Sequence, residues 1–271
     1  MNNILTDVSD AALITAIRLN MCELFRHSSR SRPAEHFENE RFTRWHTPLA
    51  YPWFNGVLCS TPPLEGDEAF VQGTIQYFRD RHVSIFTWWM EPHLKPSDWQ
   101  SLLTRYGFRF SSGSRGMAVE LEAMNESLPA VEGFEIRAAQ SEESMRVWAK
   151  VFVEGYGLPS EWEDAWLAVW NRMGTDFPVR NYIGYLHAEP VSTSSVFLGG
   201  GVAGIYCVAT LPEARGKGIG SAITLQPLQE ARAMGYRIGI LQSSEMGFLV
   251  YKRLGFRHLC PIEYFYLKST S

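Results

Sequence analysis

The sequence predicts an α/β fold made of two related domains in tandem, on two observations. The first is a repeated order of segments, in which β-rich runs alternate with amphipathic helical runs. The second is a set of identical residues that recur at an offset of about 148 positions. The matched pairs are Gly56 and Gly204, Cys59 and Cys207, Arg105 and Arg253, Gly107 and Gly255, Phe108 and Phe256, and Arg109 and Arg257.

The first half shows four elements in the order strand, helix, strand, helix. They are predicted at residues 54–60, 67–79, 82–90 and 96–106. The segment at residues 122–133 is then rich in residue types that favour turns, namely Asn125, Ser127, Pro129 and Gly133. We therefore expect a first domain at residues 1–128 and a second at residues 129–271.

The second half is predicted to open with a strand at residues 134–137 and helices at residues 141–156 and 160–173. The run at residues 190–212 carries no charge and is long enough to span a membrane. Its glycine triplet, residues 199–201, would break a helix, and its flanks are β-branched and aromatic. A buried β-hairpin is the better interpretation, and we expect no contact with a membrane.

Composition excludes several classes of function. The chain of 271 residues is 45% hydrophobic, enough for a large core, and its net charge of −4 argues against a nucleic-acid surface. Its four cysteines and seven histidines are scattered and form no metal-binding spacing, so we expect no metal site. Widely spaced cysteines of this kind are typical of reduced thiols, and we expect a cytoplasmic protein.

Residues 215–221 read Arg-Gly-Lys-Gly-Ile-Gly-Ser, directly after a β-rich run at residues 202–211 and before a helical segment that ends at Gly235. The first amides of a helix lack internal partners, and the helix dipole adds positive charge there. Glycines let a phosphate approach the backbone, and Arg215 and Lys217 add positive charge. This loop is therefore predicted to hold a pyrophosphate. Neither the Walker nor the dinucleotide-binding fingerprint is present, which argues against a nucleotide site.

The pattern Arg-x-x-Gly-x-Gly, at Arg215, Gly218 and Gly220, resembles the coenzyme A loop of the GCN5-related N-acetyltransferases (GNAT). A β-like run at residues 237–242 follows, and then a helix in which Tyr251 precedes Leu-Gly-Phe, as in the last helix of that family. The resemblance covers roughly residues 200–267. It implies a mixed, mostly antiparallel sheet flanked by helices, with acetyl-CoA as co-substrate.

The resemblance also implies roles for particular residues. The strand that ends with Val208, Ala209 and Thr210 splays from its parallel neighbour, and a backbone N–H near Val208 faces the thioester oxygen. Tyr251 protonates the departing sulfur, on a helix that we expect Ser244 to cap. A core tyrosine is the alternative. The implied cofactor-binding set is Val208, Ala209, Thr210, Arg215, Gly216, Lys217, Gly218, Ile219, Gly220 and Ser221.

Only the second half is expected to bind coenzyme A. At the matching offset the first half has Asp67-Glu68-Ala69-Phe70, whose two carboxylates would repel a phosphate. The resemblance places the helix at residues 160–173, which carries three tryptophans, on the acceptor side of the cleft. The alternative is that Trp162, Trp166 and Trp170 simply fill the core.

The sequence as a whole predicts an N-acetyltransferase that moves an acetyl group from acetyl-CoA to a primary amine by direct attack in a ternary complex. A non-catalytic acyl-CoA-binding or sensor protein is the alternative. The general base stays open between Glu154, Glu161, Glu163 and His187. A small-molecule amine is favoured over a protein as acceptor, its identity is open, and the chain is expected to be a monomer or homodimer.

Overall fold

The computed structural model describes residues 4–30, 35–47 and 51–268. The described helices are α1 (Asp10–Arg30), α2 (Asp67–Asp80), α3 (Pro96–Arg105), α4 (Glu142–Tyr156), α5 (Glu163–Met173), α6 (Ile219–Ala233) and α7 (Phe248–Arg253). The described strands are β1 (Glu35–Glu38), β2 (Phe42–His46), β3 (Gly56–Cys59), β4 (Ile85–Met90), β5 (Arg109–Glu120), β6 (Phe134–Ala138), β7 (Val179–Leu186), β8 (Glu189–Gly199), β9 (Val202–Thr210), β10 (Ile238–Ser243) and β11 (Arg257–Lys268).

The strands form a single sheet in the order β1-β2-β3-β4-β11-β5-β10-β9-β8-β7-β6. Two neighbouring pairs, β3 with β4 and β9 with β10, are parallel, and the other neighbours are antiparallel. Helices flank this sheet, so the predicted fold class is confirmed. The uncharged run at residues 190–212 forms the β8–β9 hairpin, as predicted. Within the described ranges, none of the helices has the length and apolarity needed to cross a bilayer.

The internal repeat is visible in the structure. The order β3-α2-β4-α3-β5 in the first half is repeated as β9-α6-β10-α7-β11 in the second, and each set begins with one of the two parallel pairs. The matched glycines Gly107 and Gly255 follow α3 and α7 and both have positive φ, 86° and 98°. Glycine adopts this conformation without steric cost, which explains its presence at both helix ends.

The last strands of the two repeats are exchanged. Strand β11 lies between β4 and β5, and β5 in turn pairs with β10. The sheet of the first half is therefore continued by β11, a strand of the second half. Helix α1 crosses the middle of the sheet and contacts β5, β8, β9 and β11, so it packs on both halves.

The core lies on both faces of the sheet. Helices α4 and α5 pack on one face around Trp148 and Trp170, and α6 packs on the other around Ile223 and Leu228. The four cysteines are free thiols. Within the part of the chain that the structure covers, no three His, Cys, Asp or Glu side chains are grouped to hold a metal ion.

A cross-strand pair tests the strand exchange. Phe265 of β11 is fully buried in the first-half core, whereas its register partner Phe110 of β5 is 45% exposed. We expect Phe265→Ala to lower the free energy of unfolding by about 3–5 kcal/mol, the usual cost of removing a buried phenyl ring. Phe110→Ala, the matched control, should cost about 1 kcal/mol or less, since surface changes have small effects.

The measurement is urea unfolding followed by tryptophan fluorescence. Because β11 joins the two halves, Phe265→Ala should shift a single transition. Two separate transitions, or equal costs for the two variants, would contradict the exchange.

Candidate functional site

The parallel strands β9 and β10 separate in the middle of the second half. Their ladder ends at the pair Leu241 and Ile205, although β9 continues to Thr210 and β10 to Ser243. Beyond that pair the facing edges of the two strands are not joined to each other. The predicted splaying of the strand that ends at Val208–Thr210 is therefore present in the structure.

A β-bulge in β9 accompanies the separation. The register with β8 shifts between the pairs Thr193–Ala209 and Ser195–Tyr206. Cys207 within this interval has φ 51°, a conformation that is strained for a residue with a side chain. Its carbonyl oxygen accepts a hydrogen bond of 2.9 Å from Thr193 Oγ1, which helps to hold the bulge. A bulge bends its strand, and this one turns the end of β9 away from β10.

The glycine loop lies at the end of β9 and leads into α6. Gly216 and Gly218 have φ of 76° and 87°, which accounts for glycine at both positions. No backbone N–H of residues 216–220 has a hydrogen-bond partner among the described residues. A Cβ atom on Gly216 would meet nothing within 4 Å, so the loop borders open space. Five adjacent unpaired donors at a helix N-terminus form an anion site.

The two basic residues of the loop differ in what they contact. The guanidinium of Arg215 donates to the Thr210 carbonyl (Nε, 2.9 Å) and to the Gly155 carbonyl (Nη2, 2.8 Å). It therefore fastens the C-terminal end of α4 to the end of β9. Lys217 is exposed, and the described residues offer its ammonium no ion-pair partner. Of the two, Lys217 is the cation that is available to a ligand.

Helix α6 is fixed to the sheet through Pro227. Because proline has no N–H, the carbonyl of Ile223, four residues earlier, lacks its normal helical donor. Ser194 Oγ of β8, fully buried, donates to that carbonyl over 2.7 Å. The hydrogen bond from Ser194 thus replaces the missing helical bond and joins α6 to β8. This contact helps to position the glycine loop at the start of α6.

A cavity of about 120 Å³ lies behind the gap between β9 and β10. Strand residues Ile205–Val208 and Leu241–Gln242 line one side, and aromatic residues line the other. None of its described lining residues carries a charge at neutral pH. The predicted base candidates Glu154, Glu161, Glu163 and His187 are not among the lining residues.

Tyr251 of α7 also lines this cavity and is 9% exposed. Burial raises the pKa of its hydroxyl, and the neighbouring Tyr156 raises it further. Tyr251 therefore stays protonated at neutral pH, as a proton donor must.

The helix that carries Tyr251 is capped at Gly247, so the expectation that Ser244 is its N-cap was wrong. Ser244 Oγ instead accepts the Gly247 N–H over 3.3 Å, one turn before the helix.

The first half contributes a cavity wall that the sequence did not predict. Phe25 and Leu24 of α1 lie there, and so do Tyr51, Trp53 and Phe54, just before β3. From α5, Trp166 and Trp170 also line the cavity, while both are almost fully buried. The core interpretation therefore holds for Trp166 and Trp170, whereas Trp162 is half-buried and does not line the cavity. The acceptor-side role of this helix stays a prediction. For the first-half wall, the only sequence signal was the high aromatic content of the segment before β3.

Asn20 joins that wall to the site strand. Fully buried in α1, it donates through Nδ2 to the Gly199 carbonyl (2.8 Å) and accepts the Tyr206 hydroxyl at Oδ1 (2.6 Å). Tyr206 lines the cavity next to the bulge. Buried polar groups of this kind are stable only when they are paired, so the contact fixes α1 against β9.

The equivalent helix N-terminus in the first half begins with a carboxylate, Asp67. Gly66, with φ 92°, precedes α2 as Gly218 precedes α6, so the expected match of Asp67 with Arg215 was wrong by four residues. Asp67 is buried, accepts the Leu64 N–H (2.7 Å) and pairs with Arg41 (2.6 Å). Burial alone would raise the pKa of this carboxyl, but these hydrogen bonds outweigh it and lower the pKa. The first residue of α2 is thus a carboxylate already paired with a cation of the chain.

Comparison with known proteins agrees with this architecture. Residues 200–259 match the family model described as an acetyltransferase (GNAT) domain. No curated protein sequence matches the chain significantly. The resemblance of the sequence to the GCN5-related N-acetyltransferases is thus confirmed over the segment that contains the loop, the separated strands and Tyr251.

Solved structures extend the likeness to the whole chain. A GCN5-related N-acetyltransferase from Kribbella flavida is 16% identical with a TM-score of 0.67, over 94% of this chain and 96% of that one. A GCN5-related N-acetyltransferase from Sphaerobacter thermophilus is 15% identical with a TM-score of 0.60, over 97% of this chain and 93% of that one. A tandem GNAT protein from the clavulanic acid biosynthesis pathway is 12% identical with a TM-score of 0.59, over 98% of this chain and 97% of that one. The chain therefore has the fold of a tandem GNAT protein.

The contact between Ser194 and α6 can be tested with Pro227. We expect Ser194→Ala to lower the free energy of unfolding by about 1–3 kcal/mol, because the buried Ile223 carbonyl loses its donor. Pro227→Ala restores a backbone N–H to that carbonyl, so the serine should then matter less. A double-mutant cycle in urea measures this coupling. Additive costs would show that the serine does not replace the missing helical bond.

Proposed function

We propose that the chain is an acyl-CoA-dependent N-acetyltransferase that moves an acetyl group from acetyl-CoA to a primary amine. The observation that carries the proposal is the run of unpaired backbone N–H groups at residues 216–220, beside the point where β9 and β10 separate. An anion site and an open strand edge fit the two ends of a coenzyme A arm, its pyrophosphate and its pantetheine amides.

In this proposal the backbone does most of the binding. The N–H groups of residues 216–220 and the ammonium of Lys217 hold the pyrophosphate, while Ile219 contributes only its backbone because its side chain is buried. Arg215 and Ser221 shape the loop and the first turn of α6. The pantetheine arm pairs with β9 from Thr210 to Val208, which leads the thioester to the bulge.

The acceptor reaches the thioester from the cavity behind the strands. Its neutral nitrogen attacks the carbonyl carbon, and the developing oxyanion is stabilised by a backbone N–H near Val208. The C–S bond then breaks and Tyr251 gives a proton to the sulfur. The proton lost by the new amide nitrogen restores the tyrosine, so the net transfer is from nitrogen to sulfur.

Each half has its own part in this proposal. We assign residues 129–271 to the acyl-CoA site and residues 1–128 to a degenerate copy whose helix N-terminus holds Asp67 and not a phosphate. A small-molecule amine is the proposed acceptor.

A non-catalytic acyl-CoA-binding protein is the second candidate function, because no carboxylate that could act as base lines the described cavity. Release of free thiol from acetyl-CoA with a panel of primary amines distinguishes the two.

Gly218 tests the coenzyme A site. We expect Gly218→Glu to weaken coenzyme A binding by at least about 2 kcal/mol, because it places a negative charge against the pyrophosphate. The backbone at this position has positive φ, so Gly218→Ala is the control for strain alone and should have a smaller effect.

The measurement is titration calorimetry with coenzyme A on folded protein. The wild-type titration should give one coenzyme A per chain. Two equivalent sites, or equal affinity in the glutamate variant, would be incompatible with this assignment.

Tyr251 tests the transferase mechanism. Tyr251→Phe removes one hydroxyl and keeps the ring, which packs against Phe256 at 6.0 Å. We expect kcat to fall about 10²-fold while acetyl-CoA binding hardly changes, as for a group that acts when sulfur leaves. The matched control is Tyr182→Phe, another buried tyrosine, whose hydroxyl donates to Glu230 over 2.7 Å and which does not line the cavity.

Tyr182→Phe should lower the melting temperature and leave kcat near the wild-type value. If Tyr251→Phe instead behaves like this control, Tyr251 is a structural tyrosine and the proton donor lies elsewhere.

A further inference from the structure

The cavity behind the separated strands has walls from both halves of the chain, and the walls meet at Trp166. Phe54 of the first half packs edge-on against this indole at 4.8 Å between ring centroids, and Tyr51 lies 5.7 Å away. From the second half, Phe152 lies at 4.6 Å. The first half therefore takes part in the site although its own helix N-terminus carries the carboxylate of Asp67.

Charge limits what this cavity can hold. Its described lining residues include no Asp, Glu, Lys, Arg or His. A buried carboxylate or a second ammonium on the ligand would have no partner there, and burying such a charge unpaired is very costly. A single amine is different, because aromatic faces attract it while it is charged and tolerate it when it is neutral. Polyamines, polycationic antibiotics and amino acids are therefore poor candidates.

The volume of the cavity also favours a small acceptor. The cavity measures about 120 Å³. Apolar cavities of about 150 Å³ in other proteins hold one benzene molecule. The body of the acceptor that enters this space is therefore no larger than about a single six-membered ring.

The cavity residues also leave hydrogen-bond donors unused. The indole N–H groups of Trp166 and Trp170, both nearly fully buried, have no partner among the described residues. Buried donors normally find an acceptor. A neutral oxygen on the ring, such as a hydroxyl, would be compatible with such donors.

We propose that the acceptor is a primary amine on a short chain from a single aromatic ring, with no other charge, and that the first half forms one wall of its binding site. The proposal rests on the transferase function proposed above for the choice of an amine. The ring contacts Trp53 and Phe54 on one side and Phe152 and Trp166 on the other.

Binding tests the charge and ring requirements without any need for turnover. The probes are 2-phenylethylamine, phenylalanine, which adds a carboxylate to the same skeleton, and butane-1,4-diamine, which replaces the ring with a second amine. Calorimetry is carried out on the full chain saturated with coenzyme A. We expect 2-phenylethylamine to bind at least about tenfold more tightly than either of the others. Equal or tighter binding of phenylalanine or the diamine, or no binding of 2-phenylethylamine, would overturn the proposal.

Two half-buried tryptophans test the first-half wall. Trp53 lines the cavity, and Trp162 lies beside Tyr51 without lining it. We expect Trp53→Leu to weaken 2-phenylethylamine binding about tenfold and Trp162→Leu to leave it nearly unchanged, since the contact area of one indole is lost only in the first. Coenzyme A binding, measured on both variants, shows that they are folded. Equal effects of the two variants would remove the first half from the site.

Thiol release with the same three probes separates this proposal from the transferase function. If 2-phenylethylamine binds selectively and no amine gives thiol, the transferase function fails and the aromatic site stands. If the diamine or phenylalanine gives thiol faster than 2-phenylethylamine, the transferase function stands and the aromatic acceptor is wrong.

Discussion

The separation of β9 from β10 is the constraint on which the rest of the site depends. Two parallel strands that stayed paired to their ends would leave no exposed strand edge and no passage between the loop and the cavity. Three local features hold the ends of β9 and β10 apart. The bulge at Cys207 bends β9, Arg215 fastens its end to α4, and the bond from Ser194 to Ile223 positions α6.

The N-terminal ends of helices α2 and α6 differ in charge more than in backbone conformation. Both have a helix that begins after a glycine of positive φ and follows the first of two parallel strands. In the first half that helix begins with a carboxylate bound to Arg41, and in the second half the N–H donors of the loop have no partner among the described residues. The first half retains a different role, because α1 packs on the site strands and Asn20 bonds to Tyr206.

Sequence reasoning succeeded where the signal is local. The glycine loop, the following helix and the β8–β9 hairpin were predictable because turn chemistry and charge patterning act over a few residues. It did not reveal tertiary contacts between distant parts of the chain. Arg215 was expected to serve a ligand, but it also binds two backbone carbonyls that lie far apart in the sequence. The aromatic wall around Tyr51 and Trp53 requires the two halves to be docked, which no periodicity reveals.

The position of β11 has a consequence for how the chain is made. During synthesis the first half emerges with β4 lacking its neighbour, because residues 257–268 leave the ribosome only after α4 to α7 have been made. Until then β4 and β5 present open edges that can pair with other chains. Strand pairing over so long a sequence separation is slow. The nascent protein therefore passes through an interval in which its first half is nearly complete but prone to aggregation, and it depends on β11 to leave that interval.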